Sequence, residues 1–206
     1  MIKKKEKRKN IAILISGQGT NLQAIINQVK AGKLKCNLAV VVSNKEKAYG
    51  LKRAEKAGIP AYFIDHREIS RKEHEEKIIR ILKKYKIDLI VLAGYMRVLT
   101  PYFVRKYKGK IINIHPALLP SFAGTDGYGD AWKYGVKISG CTVHFVDEGV
   151  DTGPIILQKV NPIKKNDTLE SFKKRGLRIE HKTLPEAIKL FIKGKLRIKG
   201  KKVIES

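Results

Sequence analysis

The chain has 206 residues, of which 44 are Lys or Arg and 19 are Asp or Glu, so its formal net charge is +25. This length favours one domain, and no apolar run approaches the ~20 residues that a membrane crossing needs. The charge permits nucleic-acid binding, but lysines and glutamates alternate on predicted helix faces, and no aromatic-plus-basic stripe is present. We therefore expect small-molecule partners that carry phosphate or carboxylate groups, and neither nucleic acid nor membrane.

Residues 1–10 form a basic segment that we predict to be disordered, and residues 11–206 are predicted to form one domain. The apolar run Ile11–Ile15 is shorter than the ~7–15 residues of a signal-peptide core, which predicts a cytoplasmic protein. Cys36 and Cys141 have no CxxC partner, which predicts buried free thiols rather than a disulfide or a metal site. The surface rich in lysine and glutamate is typical of a heat-adapted protein.

The first half of the chain alternates apolar strands with helices. Strands are predicted at Ile11–Ile15, Asn37–Val42, Pro60–Ile64, Leu89–Ala93 and Lys110–His115. Helices are predicted at Asn21–Ala31, at Tyr49–Ala57, from a Ser70/Glu73 capping box to about Tyr85, and from Thr100-Pro101. Because the strands are apolar throughout rather than alternating, they indicate a parallel sheet that is covered on both faces.

The pattern changes after His115. Residues 118–137 are rich in Gly, Pro and Ser, with a short helical piece at Asp130–Tyr134. Two strands follow, Ser139–Val146 and Pro154–Val160, and then a predicted Asp167/Glu170 capping box opens a long helix that contains Pro185 and ends near Phe191. The predicted fold class is α/β, an open, mostly parallel, doubly wound sheet with a C-terminal antiparallel extension and a long helix.

A glycine-rich turn, Ser16-Gly17-Gln18-Gly19-Thr20-Asn21-Leu22, joins the first strand to the first helix. Glycines let the backbone approach a ligand, and a helix amino end offers free N–H groups, so the turn can hold a phosphate. It lacks the third glycine of a dinucleotide fingerprint and the lysine of a P-loop, which favours a monophosphate. The alternative is a tight turn in which Thr20 merely caps the helix.

A second motif places Asn113 and His115 at the end of a buried strand, with Asp151 in a later loop. Strand residues two apart point the same way, so the amide and the imidazole emerge together at the edge where such sheets bind ligands. An amide can stabilise a developing oxyanion, and a histidine with a carboxylate can move a proton, as acyl or formyl transfer requires. His144 either supports this loop or belongs to the core. A metal site of His115, His144 and Asp151 remains an alternative.

These motifs together resemble the folate-dependent glycinamide ribonucleotide formyltransferases, with a Rossmann-like fold. The resemblance runs from Ile11 to about Gly194 and is carried by four segments in order: Ile15–Ala24, Leu92–Arg97, Asn113–Pro120 and Gly140–Pro154. It implies formyl transfer from 10-formyltetrahydrofolate to glycinamide ribonucleotide in purine biosynthesis, without a metal, by a monomer or homodimer.

The resemblance also implies roles for individual residues. Asn113, His115 and Asp151 would be catalytic, with His144 supporting the aspartate. Gly19, Thr20 and Asn21 would hold the nucleotide phosphate, and Glu180 the ribose hydroxyls. The folate would contact Arg71 at its acidic tail and a pocket lined by the loop 146–150 and by Met96, Arg97, Val98 and Leu99.

The chain departs from the family in the loop after Leu119-Pro120, residues 121–130, which we call the lid. Ala123 stands where the family usually has proline, and glycines are frequent where histidines often occur.

Two related families share the Asn-x-His and Asp pattern, the methionyl-tRNA formyltransferases and the formyltetrahydrofolate hydrolases. Each would need an added domain. A non-enzymatic binding module, in contrast, would not need Asn113, His115 and Asp151 to lie together.

Overall fold

Apolar runs form the strands of one sheet in the computed structural model, which describes residues 8–205. The strands are β1 (Asn10–Ile15), β2 (Asn37–Ser43), β3 (Ala61–Phe63), β4 (Leu89–Leu92), β5 (Ile111–His115), β6 (Ile138–Phe145), β7 (Ile155–Pro162), β8 (Leu196–Lys199) and β9 (Lys202–Glu205). The helices are α1 (Thr20–Lys30), α2 (Tyr49–Lys56), α3 (Arg71–Lys84), α4 (Pro101–Lys106), α5 (Gly127–Tyr134) and α6 (Leu169–Ile192).

The strand order is β3-β2-β1-β4-β5-β6-β7-β9-β8. Strands β1 to β5 pair in parallel, whereas β6 pairs antiparallel with both β5 and β7. This arrangement confirms the predicted α/β class with its antiparallel extension. The antiparallel register places His144 of β6 directly opposite Asn113 of β5, which brings together two polar side chains 31 residues apart in sequence.

Two apolar cores, one on each face of the sheet, explain why the central strands are apolar throughout. On β1, Ile11, Ile13 and Ile15 pack in one core with residues of α1, α2 and α6, and Ala12 and Leu14 pack in the other with residues of α3 and α4. Helices thus cover both faces, as in doubly wound sheets. No helix within residues 8–205 combines the length and apolarity that a membrane crossing requires.

Several boundaries differ from the predictions. The predicted tail lies mostly outside the described residues, and β1 begins at Asn10. The predicted Asp167/Glu170 capping box was wrong: Thr168 caps α6 in a reciprocal pair with Ser171, and Asp167 instead binds Arg175. The lid helix α5 is longer than predicted. The hairpin of β8 and β9 was not predicted.

The turn after β1 lies directly against α2 through two glycines. Gly19 has φ +66°, a left-handed conformation that favours glycine, and a Cβ there would lie 2.7 Å from the Gly50 Cα. The Gly50 N–H also donates to the Gly17 carbonyl oxygen at 3.1 Å. Backbone contact at this distance holds the turn against the helix, and the Arg53 Nε adds a hydrogen bond to the Gln18 carbonyl oxygen at 2.8 Å.

We expect Gly50→Ala to destabilise the protein, although alanine is the better helix former by about 1 kcal/mol. The new Cβ would lie 2.3 Å from the Ile15 Cδ1 and 3.3 Å from the Gly19 Cα, so the turn or the core must shift. Overpacking of this kind costs about 1–3 kcal/mol, which outweighs the helix propensity gain. Urea denaturation measures the free energy of unfolding.

The matched control is Lys52→Ala, an exposed position of the same helix, which should change that free energy by less than about 0.5 kcal/mol. A Gly50→Ala protein as stable as this control would contradict the close contact.

Candidate active site

A cleft of about 640 Å³ opens at the carboxyl ends of β1 and β4, where the strand order reverses. Open α/β sheets bind their ligands at such a reversal. Buried Ser16 fixes the cleft floor: its N–H donates to the Gly94 carbonyl oxygen at 3.0 Å, and its Oγ accepts from the Met96 N–H at 2.8 Å. The same hydroxyl donates to Asn44 after β2, so one serine joins the ends of three strands.

The three predicted catalytic residues meet in this cleft. Asn113 and His115 leave the same face of β5, and Asp151 reaches them from the loop after β6 with φ +54°. The His115 Nδ1 lies 3.2 Å from one Asp151 oxygen, and the Asn113 Nδ2 donates to the other at 3.3 Å. The His144 Nε2 lies 3.5 Å from the carboxylate and 3.3 Å from the Asn113 Nδ2, so it contacts both residues.

Burial and charge act in opposite directions on this group. Burial lowers the pKa of His115, while the Asp151 carboxylate and the Phe122 carbonyl oppose that shift, and the net pKa lies below the usual value. Burial alone would raise the pKa of Asp151, but His144, the Gly124 N–H and His115 outweigh it, so the net pKa is lowered. The carboxylate is therefore charged at neutral pH, and its charge favours the protonated form of the neighbouring imidazole against the effect of burial.

The lid contacts the catalytic group through its backbone. The His115 Nε2 donates to the Phe122 carbonyl oxygen at 2.7 Å, and the Gly124 N–H donates to Asp151 at 3.0 Å. Phe122 adopts φ +54°, an uncommon conformation for a non-glycine residue that aims this carbonyl at the imidazole. Both ring nitrogens of His115 thus face oxygen atoms, an arrangement that suits the doubly protonated ring.

The glycine-rich turn leaves donors free at the start of α1. Gly19 is the N-cap residue and no side chain caps the helix, so the expected alternative in which Thr20 serves as a cap is wrong. The first-turn N–H groups of a helix have no partners within the helix. Residues 17–21 line the cleft, where free N–H groups and the helix dipole favour an anion.

The inner end of the cleft holds a buried polar pair. The Asn21 Nδ2 donates to Glu180 of α6 at 2.8 Å, and both side chains are buried. Burial raises the pKa of Glu180, with the neighbouring Asn21 and Tyr128 opposing the shift. A carboxyl group that lines a cleft with a perturbed pKa is typical of a ligand-binding position.

The predicted folate residues form an open apolar surface at the other end. Met96 is 58% exposed, Val98 49% and Val150 50%, although all three line the cleft, and an exposed apolar patch of this kind marks a binding surface. Arg97 and Leu99 also line it. Arg71, in contrast, is exposed at the first turn of α3 and is not among the lining residues, so its role stays a prediction.

The lining residues that were not singled out from the sequence include Lys45, Lys173 and Tyr128. Lys173 precedes Glu180 by seven residues, two helical turns, and so shares its face of α6. Its Nζ binds Asp126, the N-cap residue of α5, at 3.0 Å. The seven-residue spacing was a usable signal for Lys173, whereas nothing local marks Tyr128.

The metal alternative is not favoured by this geometry. His115, His144 and Asp151 do lie together, but within residues 8–205 no group of three or more His, Cys, Asp or Glu side chains is arranged to hold a metal ion. The His115 Nε2 binds a carbonyl oxygen and so carries a proton, which leaves only its Nδ1 as a potential ligand.

Comparison with known proteins agrees with the geometry. Residues 9–188 match the family model described as formyl transferase. The chain is 47% identical over 192 residues to phosphoribosylglycinamide formyltransferase of Haemophilus influenzae, covering 93% of this chain and 91% of that protein. It superposes on glycinamide ribonucleotide transformylase 1 of Symbiobacterium toebii with a TM-score of 0.93 and 44% identity, covering 96% and 94% of the two chains.

Longer proteins contain a similar segment. The chain is 46% identical over 189 residues to the trifunctional purine biosynthetic protein adenosine-3 of Gallus gallus. The match covers 91% of this chain but only 19% of that protein, so the chain spans about a fifth of the length of this relative.

We expect Asp151→Asn to move the titration midpoint of the His115 imidazole to lower pH. The carboxylate is the charge that opposes the effect of burial on the His115 pKa, and the neutral amide removes it. NMR of the imidazole resonances measures the midpoint. His74, which is buried on α3 and contacts the Ile64 carbonyl oxygen rather than Asp151, is the internal control and should titrate as before. An unchanged His115 midpoint would contradict the electrostatic coupling.

Proposed function

The chain belongs to the formyl transferase family, and from this we propose that it transfers the formyl group of 10-formyltetrahydrofolate to the amine of glycinamide ribonucleotide. The products are formylglycinamide ribonucleotide and tetrahydrofolate, in purine biosynthesis. The observation that carries the proposal is the convergence of Asn113, His115 and Asp151 beside a free helix amino end. The proposed partners are these two small molecules. The proposed enzyme is a monomer or homodimer, has one domain and works in the cytoplasm.

The nucleotide would bind along the inner part of the cleft. Its phosphate would accept from the N–H groups at Gly19, Thr20 and Asn21, where the helix dipole adds to the attraction. Glu180 would accept hydrogen bonds from the ribose hydroxyls. The glycinamide amine would then lie between α1 and β5, close to the catalytic residues, as attack on a formyl carbon requires.

The folate would cover the exposed apolar side chains of Met96 and Val98, with Arg97 and the buried Leu99 beside them. A flat pteridine ring removes apolar side chains such as Met96 and Val98 from water, and burial of this surface contributes to binding. The formyl group on N10 would then lie over Asn113 and His115. Proximity of the amine and the formyl carbon converts a bimolecular reaction into one within a single complex.

The amine nitrogen attacks the formyl carbon, and the carbonyl oxygen takes up negative charge. The Asn113 amide donates to this oxygen, and protonated His115, held in its charged form by Asp151, donates a second hydrogen bond. For the oxygen to reach the His115 Nε2, the Phe122 carbonyl must withdraw from its present 2.7 Å contact. The lid therefore moves during the catalytic cycle.

Collapse of this intermediate breaks the bond between the formyl carbon and N10. The proton lost by the attacking amine passes to Asp151, directly or through water, and is delivered from there to N10 as this bond breaks, so that charge and atoms balance. These steps need an acid, a base and an oxyanion donor, and the three residues supply one of each. The proposed reaction uses no metal.

We expect Asp151→Asn to lower kcat by about 10²–10⁴-fold, because the carboxylate both accepts the proton and supports the charged imidazole. The variant should still fold, since a loop carboxylate contributes little to either apolar core. Formyl transfer is followed by folate absorbance with both substrates present.

Asp88→Asn is the control, because Asp88 lies at the opposite end of the sheet and binds the N–H of Asn10. It should retain wild-type turnover. Near-normal turnover in Asp151→Asn would contradict the catalytic assignment. Folate consumption by the wild type without the nucleotide would identify a hydrolase, and activity that requires added tRNA a tRNA formyltransferase.

We expect Arg71→Ala to raise the KM for the folate substrate about two- to fivefold, with kcat unchanged, because an exposed cation pairs weakly with a folate carboxylate. The effect should shrink at high salt. Arg80→Ala removes an exposed arginine farther along the same helix and serves as the control. Equal KM values for the two variants would remove Arg71 from the folate site.

A further inference from the structure

A buried carboxylate on α3, that of Glu75, takes no part in the reaction described above. Glu75 is 3% exposed and forms no ion pair within residues 8–205. Its two oxygens accept from a single residue, from the Thr100 N–H at 2.7 Å and from the Thr100 hydroxyl. A carboxylate is costly to remove from water unless hydrogen bonds compensate. Both compensating hydrogen bonds therefore come from one point of the chain, the residue that precedes α4.

Thr100 ends the loop between β4 and α4, residues 93–100, which carries the exposed apolar side chains of the cleft. The side chains of this loop point alternately into the protein and out of it. Tyr95 and Leu99 pack in the apolar core beneath the loop, whereas Met96 and Val98 are exposed. Because inward and outward side chains are neighbours in sequence, the loop presents the apolar pair to the cleft only if its two ends are fixed.

One buried polar side chain fixes each end of this loop. At the start, the Ser16 Oγ accepts from the Met96 N–H at 2.8 Å. At the end, Glu75 accepts both hydrogen bonds that Thr100 donates, and the Thr100 hydroxyl in turn accepts from the Phe103 N–H as the cap of α4. The apolar surface between these two ends is therefore held by a serine that follows β1 and by a glutamate of α3.

Glu75 also fixes the loop relative to α3, the helix that begins at Arg71. The two residues are four positions apart and so are neighbours along one side of the helix. The reciprocal hydrogen bonds of Ser70 and Glu73 fix the start of the same helix. A folate that covers Met96 while its acidic tail pairs with Arg71 would contact both the loop and the helix. The distance between these two contacts therefore depends on the hydrogen bonds of Glu75.

We propose that Glu75 is a positioning residue for the folate substrate, because through Thr100 it holds residues 93–100 with Met96 and Val98 facing the cleft. The inference rests on the proposed function, since it takes the folate as the ligand of this surface. Neither Glu75 nor Thr100 is among the described residues that line the cleft. The proposed nucleotide site lies on α1 and α6, and the catalytic residues lie on β5 and after β6. The effect of Glu75 is therefore confined to the binding of one substrate.

The test is Glu75→Ala, which removes both acceptors. We expect the KM for 10-formyltetrahydrofolate to rise about tenfold, because the released loop must be ordered each time this substrate binds. The kcat and the KM for glycinamide ribonucleotide should stay within about twofold of the wild type. Steady-state formyl transfer, followed by folate absorbance, gives all three constants. An equal rise in both KM values, or an unchanged KM for the folate, would overturn the proposal.

A control of lowered stability separates positioning from general destabilisation, since loss of a buried hydrogen bond also lowers the Tm. Leu82→Ala truncates a buried side chain two turns farther along α3, in the core to which Leu99 also belongs. We expect a lowered Tm but an unchanged KM for the folate, at a temperature where the wild type and both variants are folded. A raised folate KM in Leu82→Ala would assign the effect to destabilisation and overturn the proposal.

Conservative variants carry the test if Glu75→Ala does not fold. Glu75→Gln keeps the size of the side chain and one acceptor oxygen, so its folate KM should rise about threefold. Thr100→Val removes the hydroxyl and should raise the folate KM about threefold, whereas Thr100→Ser keeps the hydroxyl and should match the wild type. A Thr100→Ser protein as impaired as Thr100→Val would assign the effect to the lost methyl group and overturn the proposal.

Glu75 and Thr100 should act as one unit. The combination of Glu75→Gln with Thr100→Val should raise the folate KM by less than the product of the two single increases, because both changes remove the same interaction. Fully independent effects would overturn the proposal. Wild-type protein without formyl transfer refutes the proposed function, whereas an active wild type with an unchanged folate KM in both Glu75 variants refutes this inference alone.

Discussion

The Asp151 carboxylate is the interaction on which the site depends. It is mostly buried, with a side chain 11% exposed, yet its charged form is favoured because Asn113 and the Gly124 N–H donate to it and two imidazoles lie beside it. Removing a charge from water is costly unless it is paired and hydrogen-bonded. The partners come from β5, β6 and the lid, so the carboxylate links the lid to two strands that are already paired through their backbones. Asp151 adopts a left-handed backbone conformation, with φ +54°, which is uncommon for a residue other than glycine.

The parts of the molecule that depend on local rules could be predicted from the sequence. Apolar runs such as Ile11–Ile15 predict buried parallel strands, and Ser70 with Glu73 predicts a helix start, which the reciprocal hydrogen bonds confirm. The two-residue spacing of Asn113 and His115 predicts that they share a face. Burial of Cys36 and Cys141 is also confirmed. Each of these inferences needs only the period of a strand or the chemistry of a cap.

What escaped prediction depends on contacts between distant segments. Tyr128 reaches the cleft because α5 packs on α6 across Gly176, a pairing 48 residues apart that no local pattern marks. Thr168 displaced Asp167 as the cap of α6 because Arg175 binds that aspartate. The contact of Gly19 with Gly50 likewise appears only once α2 is in place. Tertiary packing overrides local propensity at these positions.

The two outermost strands of the sheet determine how readily copies of this protein aggregate through their sheet edges. Within residues 8–205 the sheet ends in β3, which is three residues long, and in β8, the sequence Leu-Arg-Ile-Lys. Exposed edge strands recruit the edges of other sheets and so nucleate aggregates, and short length and positive charge are the two common defences. This nine-stranded sheet uses one defence at each edge. Two copies approaching through β8 meet like charges before any backbone hydrogen bond can form.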